Sequence, residues 1–165
     1  MERLIPIEIF TIGDYKLQSL RTYCHDIKKG DYITIREVAA VLARKIPADA
    51  IIVPIPSLTG YNEAFCRMIS NYSGHPIEYC LMREGGHGSL YDKKKRGESV
   101  TEEDTGIMLH GFPPDGRLVL VDNVIATGTT MSAAIRAIGR PCEAACIAVD
   151  WAIFNMYNNR VYERD

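Results

Sequence analysis

One stretch of the sequence combines the residue types that bind a phosphate group. Four apolar residues end at Asp122, and a turn with Thr127 and Gly128 then leads into a segment with helical spacing. Glycine permits tight backbone geometry, and the first amides of a helix point outward at the positive end of its dipole. These features predict a cradle for a phosphomonoester. Beside it, Asp122 is suited to accept hydrogen bonds from sugar hydroxyls or from water on a magnesium ion.

Residues 121–130 resemble the phosphoribosyl-pyrophosphate-binding motif of the type I phosphoribosyltransferases. In that motif a hydrophobic strand precedes two mostly acidic residues, two hydrophobic residues and a loop of the form Ala/Thr-Thr-Gly-Gly/Thr-Thr. The resemblance implies that Asp122 and Asn123 hold the ribose and contribute to catalysis. It assigns the 5′-phosphate to a loop of Ala126, Thr127, Gly128, Thr129 and Thr130. A bare Thr-Gly-Thr, by contrast, would be explained by a turn and a threonine-capped helix with no ligand.

A second loop follows a short apolar run at residues 50–54, where the family places its pyrophosphate-binding loop. Backbone amides and hydroxyls there are donors for phosphate oxygens. The predicted pyrophosphate-binding residues are Pro56, Ser57, Leu58, Thr59 and Gly60. The alternative is a common turn into a helix. Because the family often has a basic residue near the position of Leu58, this sequence predicts a weaker pyrophosphate contact.

Residues 83–106 are rich in glycine and charge and contain few candidates for a core. A compact domain seldom carries so long a loop unless the loop is functional or mobile. The family has a flexible catalytic lid here, so Arg83 and the basic cluster at residues 93–96, with Lys95 as its catalytic candidate, are expected to neutralise the leaving pyrophosphate. Ser89 and Tyr91 are weaker candidates in the same lid. A run of basic residues is also typical of a solvated surface.

The resemblance implies transfer of a 5-phosphoribosyl group from phosphoribosyl pyrophosphate to a nitrogen nucleophile, such as a nucleobase, with Mg²⁺. Two departures narrow this prediction. Asn123 replaces the second acid of many members, and Ala126 replaces an aspartate of the members that act on hypoxanthine and guanine, so a 6-oxopurine acceptor is disfavoured. The alternatives are a non-catalytic sensor of phosphoribosyl pyrophosphate or a nucleotide on the same fold, and a Rossmann-like domain for an unrelated phosphorylated metabolite.

Alternating strands and helices must position these residues. Strands are predicted at 5–12, 50–54, 77–82, 117–121 and 144–149, and helices at 34–46, 62–70 and 129–138. In the first helix, Thr34 is the predicted cap and Glu37 completes a capping box. This order predicts an α/β, Rossmann-like fold with a mainly parallel sheet flanked by helices and ligands beyond the carboxyl ends of the strands.

The family resemblance adds a small hood from the chain termini, residues 1–29 and 151–165, which recognises the acceptor. Within it, Trp151, Phe154 and Tyr157 either stack on a planar base or belong to the core or a dimer contact. Such domains often pair as dimers, so a homodimer is an open expectation.

The composition bounds the remaining possibilities. A length of 165 residues predicts one domain, residues 1–165, and a net charge of −2 disfavours general nucleic-acid binding. The five cysteines include no Cys-x-x-Cys pair, so neither a disulfide framework nor a zinc site is expected. The absence of a long apolar run and of a signal segment predicts a cytoplasmic protein without a membrane partner.

Overall fold

A computed structural model describes residues 2–84 and 90–158. Strands and helices alternate along most of this chain, as the sequence predicts. In chain order the elements are β1 (Ile9–Asp14), α1 (Gln18–Lys28), α2 (Tyr32–Ala43), β2 (Ala50–Pro54), α3 (Tyr61–Ser73), β3 (Leu81–Arg83), α4 (Leu90–Lys95), a 3-10 turn (Glu103–Thr105), β4 (Ile107–Leu109), β5 (Arg117–Ile125), α5 (Thr129–Ile138), β6 (Glu143–Val149) and α6 (Trp151–Asn158).

The central sheet has the order β1-β6-β5-β2, and every neighbouring pair is parallel. The predicted mainly parallel sheet is therefore confirmed. Pro54, the last residue of β2, pairs with Val121 of β5. The loop after β2 thus begins beside Asp122, and the two loops singled out in the sequence leave the same edge of the sheet.

Helices cover both faces of this sheet, as the fold class requires. On one face α1, α2 and α3 enclose a core that includes Ile27, Leu42 and Phe65. On the other, α5 and α6 enclose a second core that includes Met131 and Phe154. Because both faces are covered, β6 is buried along its whole length, which fits the continuous apolar run of residues 144–149. No helix in the described ranges is long and apolar enough to cross a membrane.

The N-terminal third departs most from the sequence prediction. The strand predicted at 5–12 begins only at Ile9 and continues through Asp14, because its register follows β6 to Val149. Helix α1 was not predicted, although its buried residues, Leu20, Cys24 and Ile27, have helical spacing. Helix α2 begins earlier than expected.

The cap predicted for α2 is wrong. Asp31, not Thr34, is the N-cap, and its carboxylate accepts a hydrogen bond from the Thr34 amide at 2.9 Å. Glu37 therefore lies beyond the position that a capping box requires. An aspartate three residues before a threonine offers a stronger acceptor than the hydroxyl, and the helix starts at the stronger cap.

The strand predicted at 77–82 is also wrong in extent and in partner. Ile77 makes only an isolated bridge to Ile52, and β3 pairs antiparallel with β4 in a separate two-stranded sheet. Since Arg83 is opposite Ile107, this hairpin closes the base of the predicted lid at 83–106. Within the lid, α4 and the 3-10 turn give regular structure to a segment predicted as loop.

Candidate functional site

A cleft of about 450 Å³ opens beyond the carboxyl ends of β2 and β5. This is where ligands bind in open parallel sheets. Its walls combine both predicted loops with parts of α1, the lid and the start of two helices. The lining residues are Lys28, Ile55, Pro56, Ser57, Leu58, Thr59, Tyr61, Arg83, Leu90, Lys94, Asp122, Asn123, Val124, Ile125, Ala126, Thr127, Gly128, Thr129, Thr130 and Met131.

The predicted phosphate loop forms one wall of the cleft, immediately before α5. The hydroxyls of Thr127 and Thr129 lie 2.9 Å apart, and the Thr129 amide donates to the Thr127 hydroxyl at 3.3 Å. The first-turn amides of Thr130 and Met131 have no intrahelical acceptor, since the helix ladder begins with the Ser132 amide on the Gly128 carbonyl. Hydroxyls, amides and the positive end of the helix dipole therefore meet at one point.

Gly128 is the N-cap of α5 and has a φ of 83°. This left-handed conformation is strained for residues with a side chain. Space is restricted as well, because a Cβ at this position would lie 3.1 Å from Cε2 of Phe154. Only glycine fits both the backbone and the contact with α6.

Residues from the N-terminal segment and from α6 hydrogen-bond to the backbone of the phosphate loop. The carbonyl oxygen of Thr127 accepts hydrogen bonds from Arg3 Nη1 at 2.6 Å and from Asn158 Nδ2 at 3.0 Å. The Arg3 guanidinium also lies over the Tyr157 ring, 5.3 Å from its centroid. Nothing in the local sequence pattern predicted these partners, because the contacts join positions far apart in the chain.

Asp122 lies at the floor of the cleft, inside β5, since this strand extends four residues beyond the predicted end at 121. Burial raises the pKa of the Asp122 carboxyl to about 6. The backbone amide of Asn123 donates to Oδ1 of Asp122 at 2.8 Å and opposes this rise in pKa. The positive charges of Lys28 and Arg83 oppose it as well. A carboxylate this poorly solvated gains from any ligand that supplies hydroxyl donors.

Asn123 is buried, with 2% of its surface exposed, and it also lines the cleft. Its carbonyl accepts a weak hydrogen bond from Cys24 Sγ at 3.7 Å. Within the described part of the chain, its side-chain Nδ2 has no hydrogen-bond partner. A buried donor without a partner is costly, and a ligand oxygen in the cleft would satisfy it.

In the second predicted loop, the donors of Ser57 are already engaged. Glu63, in the first turn of α3, accepts from the Ser57 amide at 2.8 Å and from the Ser57 hydroxyl at 2.6 Å. The Asn62 side chain donates to the carbonyls of Ile55 and Val121, both at 2.8 Å, and so ties the ends of β2 and β5 together. Sequence reasoning missed both side chains because it stopped at Gly60.

The remaining residues of that loop differ in their placement. Pro56, Ser57, Leu58 and Thr59 line the cleft, and Gly60 does not. Gly60 instead precedes α3 with a φ of 81°, which matches the role of Gly128 before α5. Two helix N-termini therefore adjoin the cleft, each after a left-handed glycine.

In the lid, Arg83 and Lys94 line the cleft, whereas Lys95 is exposed and is not part of the lining. Lys93 is held by Asp104 at 2.6 Å. The Arg83 Nε is buried and has no hydrogen-bond partner among the described residues. Of the weaker candidates, Ser89 and the side chain of Tyr91 lie outside the described residues.

The aromatic residues of α6 have separate environments. Phe154 is 1% exposed and meets Trp151 edge to face, with ring centroids 5.9 Å apart. It belongs to the core and is not placed to stack on a base. Tyr157 is exposed and carries Arg3 over its ring. Of the predicted hood, residues 159–165 lie outside the described part of the chain.

The placement of the acidic groups determines how a magnesium ion could be held. Within residues 2–84 and 90–158, no group of three or more His, Cys, Asp and Glu side chains is placed to hold a metal. Mg²⁺ is commonly held by one or two carboxylates together with substrate phosphates and water, and the single carboxylate of Asp122 fits that mode.

Three solved structures are similar to this chain. Orotate phosphoribosyltransferase from Aeropyrum pernix has a TM-score of 0.44 at 18% identity, over 79% of this chain and 68% of that one. Glutamine phosphoribosylpyrophosphate amidotransferase from B. subtilis, complexed with ADP and GMP, has a TM-score of 0.42 at 16% identity, over 70% of this chain and only 26% of that one. Adenine phosphoribosyltransferase from Leishmania donovani has a TM-score of 0.44 at 11% identity, over 98% and 92%.

Two of these three structures are named as phosphoribosyltransferases. No protein-family model matches the chain, and no curated protein matches it significantly. Such values describe a distant likeness, and they assign no activity to this chain.

Proposed function

We propose that this protein transfers a 5-phosphoribosyl group from phosphoribosyl pyrophosphate to a nitrogen nucleophile and releases pyrophosphate. The observation that carries the proposal is the pairing of the Thr127–Thr129 hydroxyls, before α5, with Asp122 on the floor of one cleft. The first is suited to a phosphomonoester, and the second to the hydroxyls of the attached sugar.

The reaction follows from what these groups can hold. A bond forms between the acceptor nitrogen and the anomeric carbon of the ribose, the bond from that carbon to the pyrophosphate oxygen breaks, and pyrophosphate departs with the electron pair. The proton of the acceptor nitrogen passes to solvent. Bond breaking runs ahead of bond making, so the ribose passes through an oxocarbenium-like state, and fixing both ends of the sugar is the main contribution of the protein.

The cleft supplies partners for each part of the donor. Thr127, Gly128, Thr129 and Thr130 would bind the 5′-phosphate, and Asp122 and Asn123 the ribose hydroxyls. Arg83 and Lys94 are the cationic side chains on the lid side, where the charge of the leaving group develops. Magnesium, held mainly by oxygens of the donor and through water by Asp122, would neutralise part of the same charge.

The second candidate is a sensor that binds phosphoribosyl pyrophosphate or a nucleotide without turnover. Two observations favour it. Asn123 lacks the charge of an acid beside the ribose, and Ser57 already donates to Glu63 rather than standing open to pyrophosphate.

Isothermal titration with phosphoribosyl pyrophosphate and magnesium, followed by a pyrophosphate-release screen over nucleobases and amines, separates the two candidates. Release with one acceptor supports the transferase and names its substrate. Binding without release for any acceptor supports the sensor, and no binding contradicts both. The acceptor base, the cytoplasmic location and the pairing of two copies stay predictions.

A further inference from the structure

The carboxylate of Glu63 is hydrogen-bonded to Ser57, in the loop that is predicted to bind pyrophosphate. Its two oxygens accept from two donors of one residue: Oε1 from the Ser57 amide at 2.8 Å, and Oε2 from the Ser57 hydroxyl at 2.6 Å. Hydrogen bonds to an ionised acceptor are among the stronger ones in proteins. The two donors that Ser57 would offer to a pyrophosphate oxygen are therefore engaged before any ligand arrives.

The charge of Glu63 also acts on the cleft itself. Burial is the main cause of the raised pKa of Asp122 and of Tyr61, two residues that line the cleft, and the charge of Glu63 adds to both shifts. Residues 56–60 include no cationic side chain, and the cations that line the cleft, Lys28, Arg83 and Lys94, come from other segments. A pyrophosphate group placed here would meet a fixed negative charge in addition to engaged donors.

No comparable competitor faces the phosphate loop before α5. In the described structure, the Thr127 and Thr129 hydroxyls bond only to each other and to the Thr129 amide, all within the loop. The two loops thus differ: the donors before α5 have no competing carboxylate among the described residues, whereas the donors of Ser57 are engaged by Glu63.

We propose that Glu63 makes this site select ligands with a single 5′-phosphate, such as ribose 5-phosphate or a nucleoside 5′-monophosphate, over ligands that carry pyrophosphate. For transfer, Glu63 must leave Ser57 before the pyrophosphate group enters the loop. This inference rests on the proposed function, because it assumes that the loop before α5 binds the 5′-phosphate.

Calorimetric titration of ribose 5-phosphate and, separately, of inorganic pyrophosphate in the same magnesium buffer tests the proposal. The proteins are the wild type, Glu63→Ala and Glu63→Gln, with Glu37→Gln as the control. Glu37 lies exposed in α2, so its substitution removes the same charge without touching Ser57. Circular dichroism verifies that each variant is folded, and the glutamine variant serves if the alanine variant is not.

Both Glu63 variants should bind pyrophosphate at least about tenfold more tightly than the wild type, because a competing charged acceptor is gone. Ribose 5-phosphate should bind within about twofold of the wild type, and Glu37→Gln should match the wild type for both ligands. Unchanged or weaker pyrophosphate binding overturns the proposal, as does an equal gain for both ligands. Failure of ribose 5-phosphate to bind the wild type would instead overturn the proposed phosphate site, and the inference with it.

Discussion

Arg3 donates from Nη1 to the carbonyl oxygen of Thr127 across 2.6 Å, although the two residues lie 124 positions apart. Asn158 donates to the same oxygen at 3.0 Å. Both hydrogen bonds are accepted by the peptide group between Thr127 and Gly128, within the loop that carries the Thr127 and Thr129 hydroxyls. The shape of the candidate phosphate loop is therefore fixed in part by the two ends of the chain.

Replacing Arg3 by alanine should weaken phosphate binding while the protein stays folded. One strong hydrogen bond behind the loop is lost, and the Asn158 bond remains, so we expect about a three- to tenfold loss of affinity for ribose 5-phosphate. Titration calorimetry measures the affinity. Arg44→Ala is the matched control, because Arg44 is exposed at the end of α2. Equal losses in the two variants would show a general effect of charge and contradict the bracing role of Arg3.

Alanine substitutions at Gly128 and Gly139 separate the cost of a strained backbone from the cost of steric crowding by a new Cβ. They flank the same helix, with φ values of 83° and 82°, but a Cβ at 139 would have no neighbour within 4 Å. Gly139→Ala should cost about 1–2 kcal/mol from the left-handed conformation. Gly128→Ala should cost about 1–3 kcal/mol more, because it presses on Phe154, and it should also lose phosphate binding. Urea denaturation measures both variants, and equal costs would contradict the crowding argument.

The sequence predicted those parts of the site whose structure is determined by residues adjacent to each other in the chain. Helix α5 begins at the predicted residue, and β2 has the predicted bounds, because apolar runs and turn residues next to each other determine both. Asp122, Asn123 and the Thr-Gly-Thr turn line the cleft for the same reason.

Contacts between distant segments could not be read from a linear pattern. Glu63 engages Ser57 because the start of α3 lies beside the loop that precedes it. Arg3 reaches Thr127 because the segment before β1 packs on α5, where the Leu4 amide donates to Ser132 Oγ. The displaced β3 has a similar cause. Its apolar run fits a parallel strand, yet among the described residues it pairs with β4, on the far side of the lid.

Asp122→Asn should stabilise the protein at neutral pH. The carboxyl has a pKa of about 6 in the folded protein and an ordinary value of 3.8, so the folded state binds its proton more tightly. The contribution of this carboxyl to the free energy of unfolding is greatest below about pH 4 and falls as the pH rises from about 4 to 6. Above pH 6 the ionised carboxylate lowers the free energy of unfolding by at most about 3 kcal/mol relative to low pH. Asparagine removes the penalty because it stays neutral.

Urea denaturation at pH 4 and pH 7.5 tests the sign of this effect. The variant should exceed the wild type in free energy of unfolding at pH 7.5 and differ little at pH 4. It should also lose affinity for phosphoribosyl pyrophosphate, since an amide is a poorer acceptor for sugar hydroxyls than a carboxylate. A difference that is the same at both pH values would mean that the Asp122 carboxyl is not the titrating group.

The three consecutive lysines of α4 provide a test of the lid with internal controls. Lys94 lines the cleft, Lys95 is exposed away from it, and Lys93 is paired with Asp104. If cationic side chains stabilise the departing pyrophosphate, Lys94→Ala should lower the turnover number in a pyrophosphate-release assay by about 10- to 100-fold. Lys95→Ala, which sequence reasoning alone would choose, should change it by less than about twofold, because both variants remove one charge but only one removes it from the cleft. A larger loss in the Lys95 variant would restore the sequence-based assignment and show that α4 turns its other face to the substrate during turnover.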